Sequence, residues 1–519
     1  MLNYFNLESV FGIIISLGDV FMKKSVFYIL ILLTCVFLTC LSTSYDYDLF
    51  ARLIVGERFI EHSILPFKDF LSYTPTHTWY DHEWGSGVVF YFMLKYFGSL
   101  GLILLQSLLM FGTAFFIIKT QKLQRHAHPA SITFMAVFLT LFWNLNSSLI
   151  RCQLFSFFFF SMFLYLMEKQ RKFPESNSLW IIPPIVIIWN NLHGGVVSGL
   201  GLIFLYIIGA IIEKKPFKKQ LATLAISAVL LVINPYGYKY LNFLFAATTM
   251  NRKYIIEWWS PLHANLFVYY LPICAYLIFG FLSGFRKKFD ITKTIVLAVT
   301  LYSGLAHIKL LSLAIITVTA LCYNDICYFF RFKFLKKTEK ALYPAIFVLA
   351  ILFIPFSSPN TNRVGNNKFP LPEVEFLKLN NIKGNIVVPF GLGSYISYKL
   401  YPDNLIFMDG RYEEVYNDKE FLTLRDYELA ENNWKDIINN YKTEILMPRK
   451  DIEIYEVLKK DPEWTLVYEG YQTGIFLPKN KVQDNYIQPE TKKTYYRKNL
   501  FIGNTFGKKL KTIGEKSND

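Results

Sequence analysis

The chain has 519 residues, of which 53% are hydrophobic, 18% aromatic and only 18% charged. This composition is more apolar than that of a typical soluble domain, in which about a quarter of the residues are charged. The formal net charge of +15 raises the question of a nucleic-acid partner. However, the lysines and arginines form short clusters in alternate polar loops, a pattern typical of membrane proteins. The charge distribution therefore argues against nucleic-acid binding.

Apolar segments recur along the first 360 residues and predict helices that cross a membrane. A helix needs about 17 to 25 apolar residues to span roughly 30 Å of hydrocarbon. The predicted segments are 26–43, 98–118, 130–146, 152–168, 178–192, 195–213, 220–234, 264–284, 290–305, 309–328 and 341–357. The stretch 84–96 is amphipathic and is interpreted as lying along the interface. We therefore expect a mostly α, multi-pass protein of the cell (inner) membrane with about 11 transmembrane helices.

The polar parts of the chain suggest its domain organisation. Residues 1–21 are interpreted as an N-terminal extension, with Met22 as an alternative start. Residues 22–358 form the predicted transmembrane domain, whose first outer loop is 44–86. Alternating helix and strand patterns in 360–480 predict a small extracytoplasmic α/β domain, and the basic tail 481–519 is predicted to be disordered. The expected strands lie at 384–388, 404–408, 443–447 and 465–468, and the expected helices at 371–379, 395–400, 420–429 and 452–458.

The first outer loop opens with two aspartates, Asp46 and Asp48, directly after an apolar segment. Asp48 precedes a predicted helix and can be explained as its N-cap. Asp46 lies outside that helix. A carboxylate at a membrane surface can take the proton from an acceptor hydroxyl or amine. We predict that at least one of the two is catalytic, with helix capping as the alternative explanation.

The same loop closes with a second polar run, Trp79 to Trp84. Glu83 is a candidate second catalytic carboxylate or substrate ligand. His82 and Glu83 do not form a metal signature, because no second histidine stands at the spacing that HExxH requires. The two tryptophans are interpreted as interfacial aromatic residues, and Asp69 as a structural residue of a turn.

Further polar residues lie at the ends of later apolar segments and are candidate substrate ligands. Arg151 offers a planar fork of donors to a phosphate, with snorkelling or a local ion pair as the alternative. His193 precedes two glycines, where the backbone can approach a ligand closely. The other candidates in this part of the chain are Glu257, His307 and Lys309. We expect these residues to converge on one side of the membrane.

Two glycine-containing turns stand out in the predicted outer domain. The turn Gly391–Ser394 follows a predicted strand, so it is either a phosphate-binding turn or a simple connection from strand to helix. Asp409-Gly410-Arg411 is interpreted as a turn with a local ion pair. The domain is expected to dock an acceptor or to act as a structural lid.

Several motifs together resemble a bacterial group of predicted membrane glycosyltransferases, similar to the rhizobial core-oligosaccharide transferase-like group. This group is related to the polyprenyl-phosphate-sugar-dependent superfamily called GT-C. The motifs are Asp46 to Gly56-Glu57, Pro66-x-x-Asp69-x-x-Ser72-Tyr73-Thr74, Trp79-x-x-His82-Glu83-Trp84, Arg151 to Ser156, Asn191-Leu192-His193-Gly194-Gly195, Asn234-Pro235-Tyr236-Gly237, Glu257-Trp258, Gly391-x-Gly393-Ser394-Tyr395 and Met408-Asp409-Gly410-Arg411. The resemblance implies a catalytic aspartate just after the first span, which matches Asp46 and Asp48. It also places Arg52, where the group often has histidine, and His82 among the substrate-binding residues.

The resemblance implies an inverting transferase that moves a sugar from a polyprenyl-phosphate donor to a cell-envelope acceptor outside the cytoplasm. The expected partners are membrane lipids, the lipid-linked donor and the acceptor, with no firm cofactor and the need for a divalent metal left open. Two other classes of function stay open. One is a transporter or flippase, which would show paired halves with broken helices, and the other is a non-catalytic envelope assembly protein.

Overall fold

A computed structural model of the chain describes residues 24–40, 45–124, 135, 138–139, 141–142, 149–250, 252, 255–263, 267–284, 290–329, 368–431 and 433–489. The chain forms two compact units. Unit 1 comprises residues 1–42 and 103–358, and unit 2 comprises residues 43–102 and 359–519. The predicted first outer loop and the predicted C-terminal domain therefore belong to the same unit. The predicted segments 1–21 and 341–357, and nearly all of 130–146, lie outside the described residues.

The described part of unit 1 is built from α-helices. In chain order, the helices before residue 330 are α1 (Lys24–Cys40), α2 (Leu49–His62), α3 (Trp84–Gln121), α4 (Gln153–Lys172), α5 (Ile182–Leu192), α6 (Val196–Ile212), α7 (Lys218–Leu230), α8 (Lys239–Thr249), α9 (Phe267–Ser283), α10 (Ile291–Ala306) and α11 (Leu311–Phe329). Helix α2 and the first half of α3 belong to unit 2. Short 3₁₀ turns, Ser178–Ile181, Ile256–Trp258 and Ile308–Leu310, precede or link several of these helices.

The prediction of about 11 transmembrane helices is wrong. Within the described residues, only Trp84–Gln121 and Ile308–Tyr328 are long and apolar enough to cross a membrane. The other apolar helices are shorter, and α5 has only 11 residues, which gives a length of roughly 16 Å at 1.5 Å per residue. Moreover, 89% of the apolar window in Ile308–Tyr328 is buried, as in the core helix of a soluble protein. The two helices are compatible with membrane association, and the described residues do not support about 11 spans.

The structure of helix α3 differs from the prediction for residues 84–118. The stretch 84–96 was expected to lie along an interface, separately from a span at 98–118. Instead, both belong to one 38-residue helical run that is interrupted at Gly98, whose φ is 60° and ψ is −155°. Glycine adopts positive φ without the steric cost that a Cβ would bring. The change from an amphipathic to an apolar sequence therefore marks a kink within one helical run.

Unit 2 contains a small four-stranded sheet. Its strands are β1 (Ile386–Val387), β2 (Ile445–Leu446), β3 (Trp464–Glu469) and β4 (Gly474–Pro478), in the order β1-β2-β4-β3. Strand β1 runs parallel to β2, while β4 is antiparallel to both β2 and β3. The helices between and before the strands are α12 (Leu371–Leu379), α13 (Gly393–Leu400), α14 (Tyr412–Val415), α15 (Asp418–Glu428), α16 (Asp436–Asn439) and α17 (Glu453–Lys460).

The first outer loop joins the edge of this sheet through residue Ile406. Ile406 forms parallel bridges with Ile386 of β1 on one side and with Ser72 of the loop on the other. The Ile406 N–H donates to the Leu71 carbonyl at 3.0 Å, and the Tyr73 N–H donates to the Ile406 carbonyl at 3.1 Å. The strand predicted at 404–408 is thus reduced to a single bridging residue. This pairing brings the polar residues of the loop to the C-terminal segment.

Helix α2 is held between the start of α3 and helix α13. A Cβ on Gly56 would lie only 2.1 Å from the Gly87 carbonyl oxygen, so the backbones of α2 and α3 touch at these two glycines. On another face of α2, Phe50 packs edge-on against Phe369 and Tyr395. Close backbone contact and aromatic packing together fix the orientation of the α2 side chains.

Candidate functional site

Six charged or titratable residues of unit 2 form one group, which we call the Arg52 cluster. Its members are Arg52, Asp81, His82, Glu83, Glu413 and Glu414. Arg52 donates from Nη1 to Asp81 Oδ1 at 2.5 Å and from Nη2 to Glu414 Oε1 at 2.7 Å. Its Nε lies 3.0 Å from Glu83 Oε2. One guanidinium thus holds three carboxylates.

The local structure explains why these residues meet. Arg52 projects from α2, while Asp81, His82 and Glu83 form the turn that leads into α3. The Asp81 carboxylate accepts the Glu83 N–H at 2.8 Å and so shapes this turn. Glu414 comes from the short helix α14, and it also accepts the Trp79 indole N–H at 2.7 Å. Trp79 is fully buried, so its predicted interfacial role is wrong.

The Arg52 cluster has a buried half and a partly exposed half. Arg52, Asp81 and Glu414 are buried, whereas the side chains of Glu83 and Glu413 are 13% and 21% exposed. His82 connects the two halves. Its Nδ1 lies 3.1 Å from Glu414 Oε1, and its Nε2 lies 3.5 Å from Glu83 Oε1 and 3.9 Å from Glu413 Oε1.

Burial and neighbouring charges set the ionisation of this cluster. Burial lowers the pKa of His82, but Glu83, Glu414 and Glu413 outweigh it and raise that pKa to about 9. Burial and the charge of Glu414 raise the pKa of Asp81 above its usual value, against the opposing effect of Arg52. Burial also acts to raise the pKa of Glu414, but Arg52 and His82 hold that pKa below the usual value. At neutral pH, His82 is therefore a second cation among the carboxylates.

Three members of the Arg52 cluster lie close enough together to be candidate ligands of a divalent metal. His82, Glu83 and Glu414 each offer one ligand atom within 4.8 Å of the others, which is close enough for a shared cation. However, Arg52 contacts both oxygens of Glu414 and one oxygen of Glu83. A metal ion would have to displace the guanidinium from these oxygens. The donor set therefore does not fit a metal in this arrangement.

The two predicted catalytic aspartates lie in unit 2, and their local roles are the reverse of those expected from the sequence. Asp46 is buried, and its Oδ1 accepts the Asp48 N–H at 3.0 Å. Asp48 stands at the N-cap of α2, but its side chain makes no capping bond to that helix. Its Oδ1 faces Gly410, where a Cβ would lie 2.3 Å away. The Asp46 side chain thus stabilises the turn, while Asp48 is half-buried and its side chain does not cap α2.

A second buried group in unit 2 surrounds Arg411, whose side chain is fully buried. Its guanidinium pairs with Asp69 at 2.7 Å and with Asp409 at 2.9 Å, and it lies 4.5 Å from the centre of the Trp79 ring. The ion pair predicted between Asp409 and Arg411 is confirmed. The contact with Asp69 also ties the first outer loop to the C-terminal segment, so this group has a structural role.

The turn at Gly391–Ser394 does not resemble a phosphate-binding site. The Ser394 hydroxyl donates to the carboxylate of Asp409 at 3.0 Å. A Cβ on Gly393 would lie 2.4 Å from the Met408 carbonyl oxygen. A carboxylate beside the turn would repel a phosphate, so the structure favours the simpler alternative, a connection from strand to helix.

Four of the predicted ligands in unit 1 come together around one tryptophan. We call this group the Trp258 cluster; its members are Arg151, Arg252, Glu257, Trp258, His307 and Lys309. Arg151 forms an ion pair with Glu257. His307 Nδ1 lies 2.7 Å from the Trp258 carbonyl oxygen, so it donates there, because a carbonyl can only accept. The Lys309 ammonium lies 5.3 Å from the centre of the Trp258 ring.

The sixth member, Arg252, was not identified from the sequence. Its guanidinium lies 4.4 Å from the centre of the Trp258 ring. It also donates to the carbonyls of Ala247 and Met250 at the end of α8, as basic residues at helix C-termini often do. Arg151, Arg252 and Lys309 together outnumber the single carboxylate of Glu257. The Trp258 cluster therefore has an excess positive charge, which suits an anion.

His193, the remaining predicted ligand, lies in unit 1 within a separate hydrogen-bonded group. Its Nδ1 lies 2.6 Å from the Ser156 hydroxyl. Ser156 also accepts the indole N–H of Trp189 at 2.7 Å. His193 is thus held by residues from α4 and α5.

Five residues of these groups were not predicted as site residues from the sequence: Asp81, Glu413, Glu414, Arg252 and Ser156. Glu413 and Glu414 are separated from Arg52 by more than half of the chain, so no local pattern links them. For Asp81, the signal in the sequence was its position between Trp79 and Glu83. For Ser156, the motif Arg151 to Ser156 included the residue without suggesting a partner.

No protein-family model matches this chain, and a search of curated proteins finds no match. The functional conclusion therefore depends on the chemistry of the two clusters.

Proposed function

We propose that this protein is a membrane-associated glycosyltransferase that moves a sugar from a polyprenyl-phosphate donor to an acceptor outside the cytoplasm. The observation that carries this proposal is the convergence of Arg151, Glu257, His307 and Lys309 on Trp258. Excess positive charge beside an aromatic ring suits a phosphate attached to a sugar. Guanidinium and ammonium groups are the usual ligands of phosphate.

The base in this proposal is a carboxylate of the first outer loop, and Asp48 is the stronger candidate. Asp46 is buried and already accepts a backbone N–H within its turn, so an acceptor reaches its carboxylate less easily. Asp48 is only half-buried, so its carboxylate is more accessible to an acceptor. Glu83 is retained as a substrate ligand, because its Oε2 pairs with Arg52 while the side chain stays partly exposed.

In the proposed reaction, the acceptor oxygen or nitrogen attacks the anomeric carbon of the donor sugar. Its proton passes to Asp48, the bond between the anomeric carbon and the phosphate oxygen breaks, and the lipid phosphate leaves with both electrons. A single displacement inverts the configuration at that carbon.

The two long apolar helices support a membrane location for this reaction. We place the protein in the cell membrane, with the C-terminal segment of unit 2 outside the cytoplasm. The envelope acceptor and the lipid-linked donor would then meet on that side.

The test is transfer of radiolabelled sugar from a panel of synthetic polyprenyl-phosphate sugars by the purified full-length protein in lipid vesicles. The double substitution Asp46→Asn and Asp48→Asn should abolish transfer while the protein still inserts and elutes as a folded species. Asp484→Asn is the matched control, since Asp484 is exposed in unit 2. Full activity of the double variant would refute the assignment of the base, and no transfer by the wild type from any donor would refute the function.

A further inference from the structure

Two short segments of unit 1 hold the His307 imidazole against Trp258. Its Nδ1 donates to the Trp258 carbonyl at 2.7 Å, and the imidazole meets the indole edge-on, with 5.3 Å between the ring centres. The Ile308 N–H donates to the Trp259 carbonyl at 3.0 Å. The His307 N–H donates to the Ser303 carbonyl in the last turn of α10, also at 3.0 Å. Backbone and side chain together therefore fix the orientation of this imidazole.

The bond to Trp258 determines which nitrogen of a neutral His307 carries the proton. A carbonyl oxygen only accepts, so Nδ1 is the donor and Nε2 has the lone pair. Nε2 forms no hydrogen bond or ion pair with any residue that the structure describes. It is also not a buried atom, in contrast to Nε2 of His62. His307 thus presents a hydrogen-bond acceptor that a ligand can reach.

Two hydrogen-bond donors beside the same ring are also accessible. The Lys309 ammonium lies 5.3 Å from the centre of the Trp258 ring, and it forms no hydrogen bond or ion pair within the described part of the chain. The Trp258 indole N–H likewise has no partner among the described residues, and neither Nζ nor Nε1 is a buried atom. Lys309 lies only two positions after His307, in the turn Ile308–Leu310. A cation, a neutral N–H and a lone pair are therefore grouped at one indole.

An ammonium group and an indole N–H bind an anion, whereas a nitrogen lone pair binds a ligand that carries a proton on oxygen or nitrogen. The ligand that satisfies all three groups has an anionic group with a hydroxyl close to it. We propose that Lys309 and the Trp258 N–H contact the phosphate of the donor, and that His307 Nε2 accepts from a hydroxyl of its sugar and makes the site specific for that hydroxyl. The phosphate-linked sugar rests on the proposed function, whereas the acceptor beside a cation rests on the contacts alone.

Diethyl pyrocarbonate tests the site without any assumption about the reaction. An accessible, unprotonated ring nitrogen attacks a carbonyl carbon of the reagent, an N–C bond forms and ethyl carbonate leaves. Mass spectrometry of the full-length protein should show that His307 reacts faster than the buried His193.

Inorganic phosphate is the probe of the anion site in the same assay. At about ten times its Kd it should slow the modification of His307 by about tenfold, because the occupied fraction no longer reacts. Lys309→Met should raise the phosphate concentration needed for this protection. His77 is the internal control, since it is exposed in unit 2 and phosphate should leave its rate unchanged. An unreactive His307, or a rate that saturating phosphate does not change, would overturn the proposal.

Donors that each lack one hydroxyl identify the group that His307 recognises in the transfer assay. His307→Asn keeps an N–H near the position of Nδ1 and removes the acceptor at Nε2, whereas His307→Gln keeps an amide oxygen near Nε2. For the wild type, one deoxy donor should have a kcat/KM about tenfold lower, the usual effect of losing one hydrogen bond. His307→Asn should show a similar loss with the complete donor and no further loss with that deoxy donor. His307→Gln should restore part of the discrimination.

The two assays distinguish the failure of this inference from the failure of the proposed function. If the wild type is active and His307→Asn discriminates against every deoxy donor as strongly as the wild type does, the role of His307 is overturned and the transferase function stands. A wild type that transfers no sugar, but whose His307 is protected by phosphate, would overturn the glycosyltransferase function and support the anion site with its acceptor.

Discussion

The Arg52 cluster and the Trp258 cluster use arginine in opposite ways. In the Arg52 cluster, four carboxylates surround one guanidinium and one imidazole, and the guanidinium, Asp81 and Glu414 are buried. The Trp258 cluster contains three basic side chains and one carboxylate, and the Arg151 and Glu257 side chains are 15% and 33% exposed.

The buried charges of the Arg52 cluster therefore stabilise the fold, whereas the excess positive charge of the Trp258 cluster suits an anionic ligand. A buried ion pair is costly to break, because the remaining partner is left charged and out of water. A partly exposed pair contributes little to stability, so its cation can exchange that carboxylate for another anion at little cost to the fold. We therefore expect substitutions in the first cluster to act mainly on folding and those in the second mainly on substrate binding.

The largest effect on stability is expected for Arg52→Gln. Removing the guanidinium leaves Asp81, Glu83 and Glu414 without their shared cation, which should lower the free energy of unfolding by about 3–5 kcal/mol. Chemical denaturation of the full-length protein measures this change. The control is Arg449→Gln, because Arg449 forms an exposed pair with Asp451, for which about 0–1 kcal/mol is expected. Similar losses in both variants would contradict a supporting role for the Arg52 cluster.

A smaller effect, of opposite sign, is expected for Glu57→Gln. Glu57 is buried in unit 2, and neither carboxyl oxygen has a hydrogen-bond partner among the described residues. Burial and Glu61 raise its pKa to about 8. The folded state thus binds an extra proton between about pH 4.5 and 8, and stability falls as the pH rises through that range.

Glutamine stays neutral, so Glu57→Gln should remove this fall and stabilise the protein by about 1–3 kcal/mol at pH 8. Below about pH 4.5 the wild type and the variant should unfold alike. Thermal unfolding across this pH range measures the difference. Glu456→Gln is the control, since Glu456 is exposed in unit 2 and pairs with Lys459 at the surface. A wild-type stability that rises between pH 5 and 8 in step with the variant would contradict the buried neutral state of Glu57.

Arg151→Gln should differ from Arg52→Gln. We expect a small change in the free energy of unfolding and a clear change in donor binding. Because its pair with Glu257 is partly exposed, the cost to unfolding should be about 0–1 kcal/mol. The loss of a charged ligand should raise KM for the phosphate-linked donor by about tenfold or more. Steady-state kinetics with varied donor measures this shift. An unchanged KM would remove the Trp258 cluster from donor binding.

The smallest effect is expected from removing divalent metal. Arg52 already contacts the carboxylate oxygens that a metal would use, so treatment with a chelator should leave the transfer rate unchanged. Restoration of a lost rate by Mn²⁺ or Mg²⁺ would show that a metal replaces the guanidinium during the reaction.

The sequence predicted local elements of unit 2 well. The helix at 371–379 has the expected bounds, and strands β1, β2 and β3 lie within or over the predicted segments, because turn residues and short apolar runs specify them locally. Strand β4 was missed. The described apolar segments of unit 1 did form helices, but hydropathy alone could not show that only two described helices are both long and apolar enough to cross a membrane.

The two clusters differ in how far local sequence patterns could predict them. Arg151, Glu257, His307 and Lys309 were predicted separately, each as a polar residue at the end of an apolar segment, and the structure brings them together. The Arg52 cluster could not be predicted in full, because Glu413 and Glu414 reach it through the pairing of Ile406 with Ser72 and Ile386. Such long-range pairing leaves no local pattern in a single sequence.

The most direct test compares Asp48→Asn with Asp46→Asn in a single-turnover transfer assay at saturating donor. Asp48→Asn should lower the rate constant of transfer by about 10²- to 10⁴-fold, the usual contribution of a general base, with donor binding unchanged. Asp46→Asn should act mainly on the stability of the turn and leave a much larger residual rate. A wild-type rate constant in Asp48→Asn would contradict the proposed mechanism.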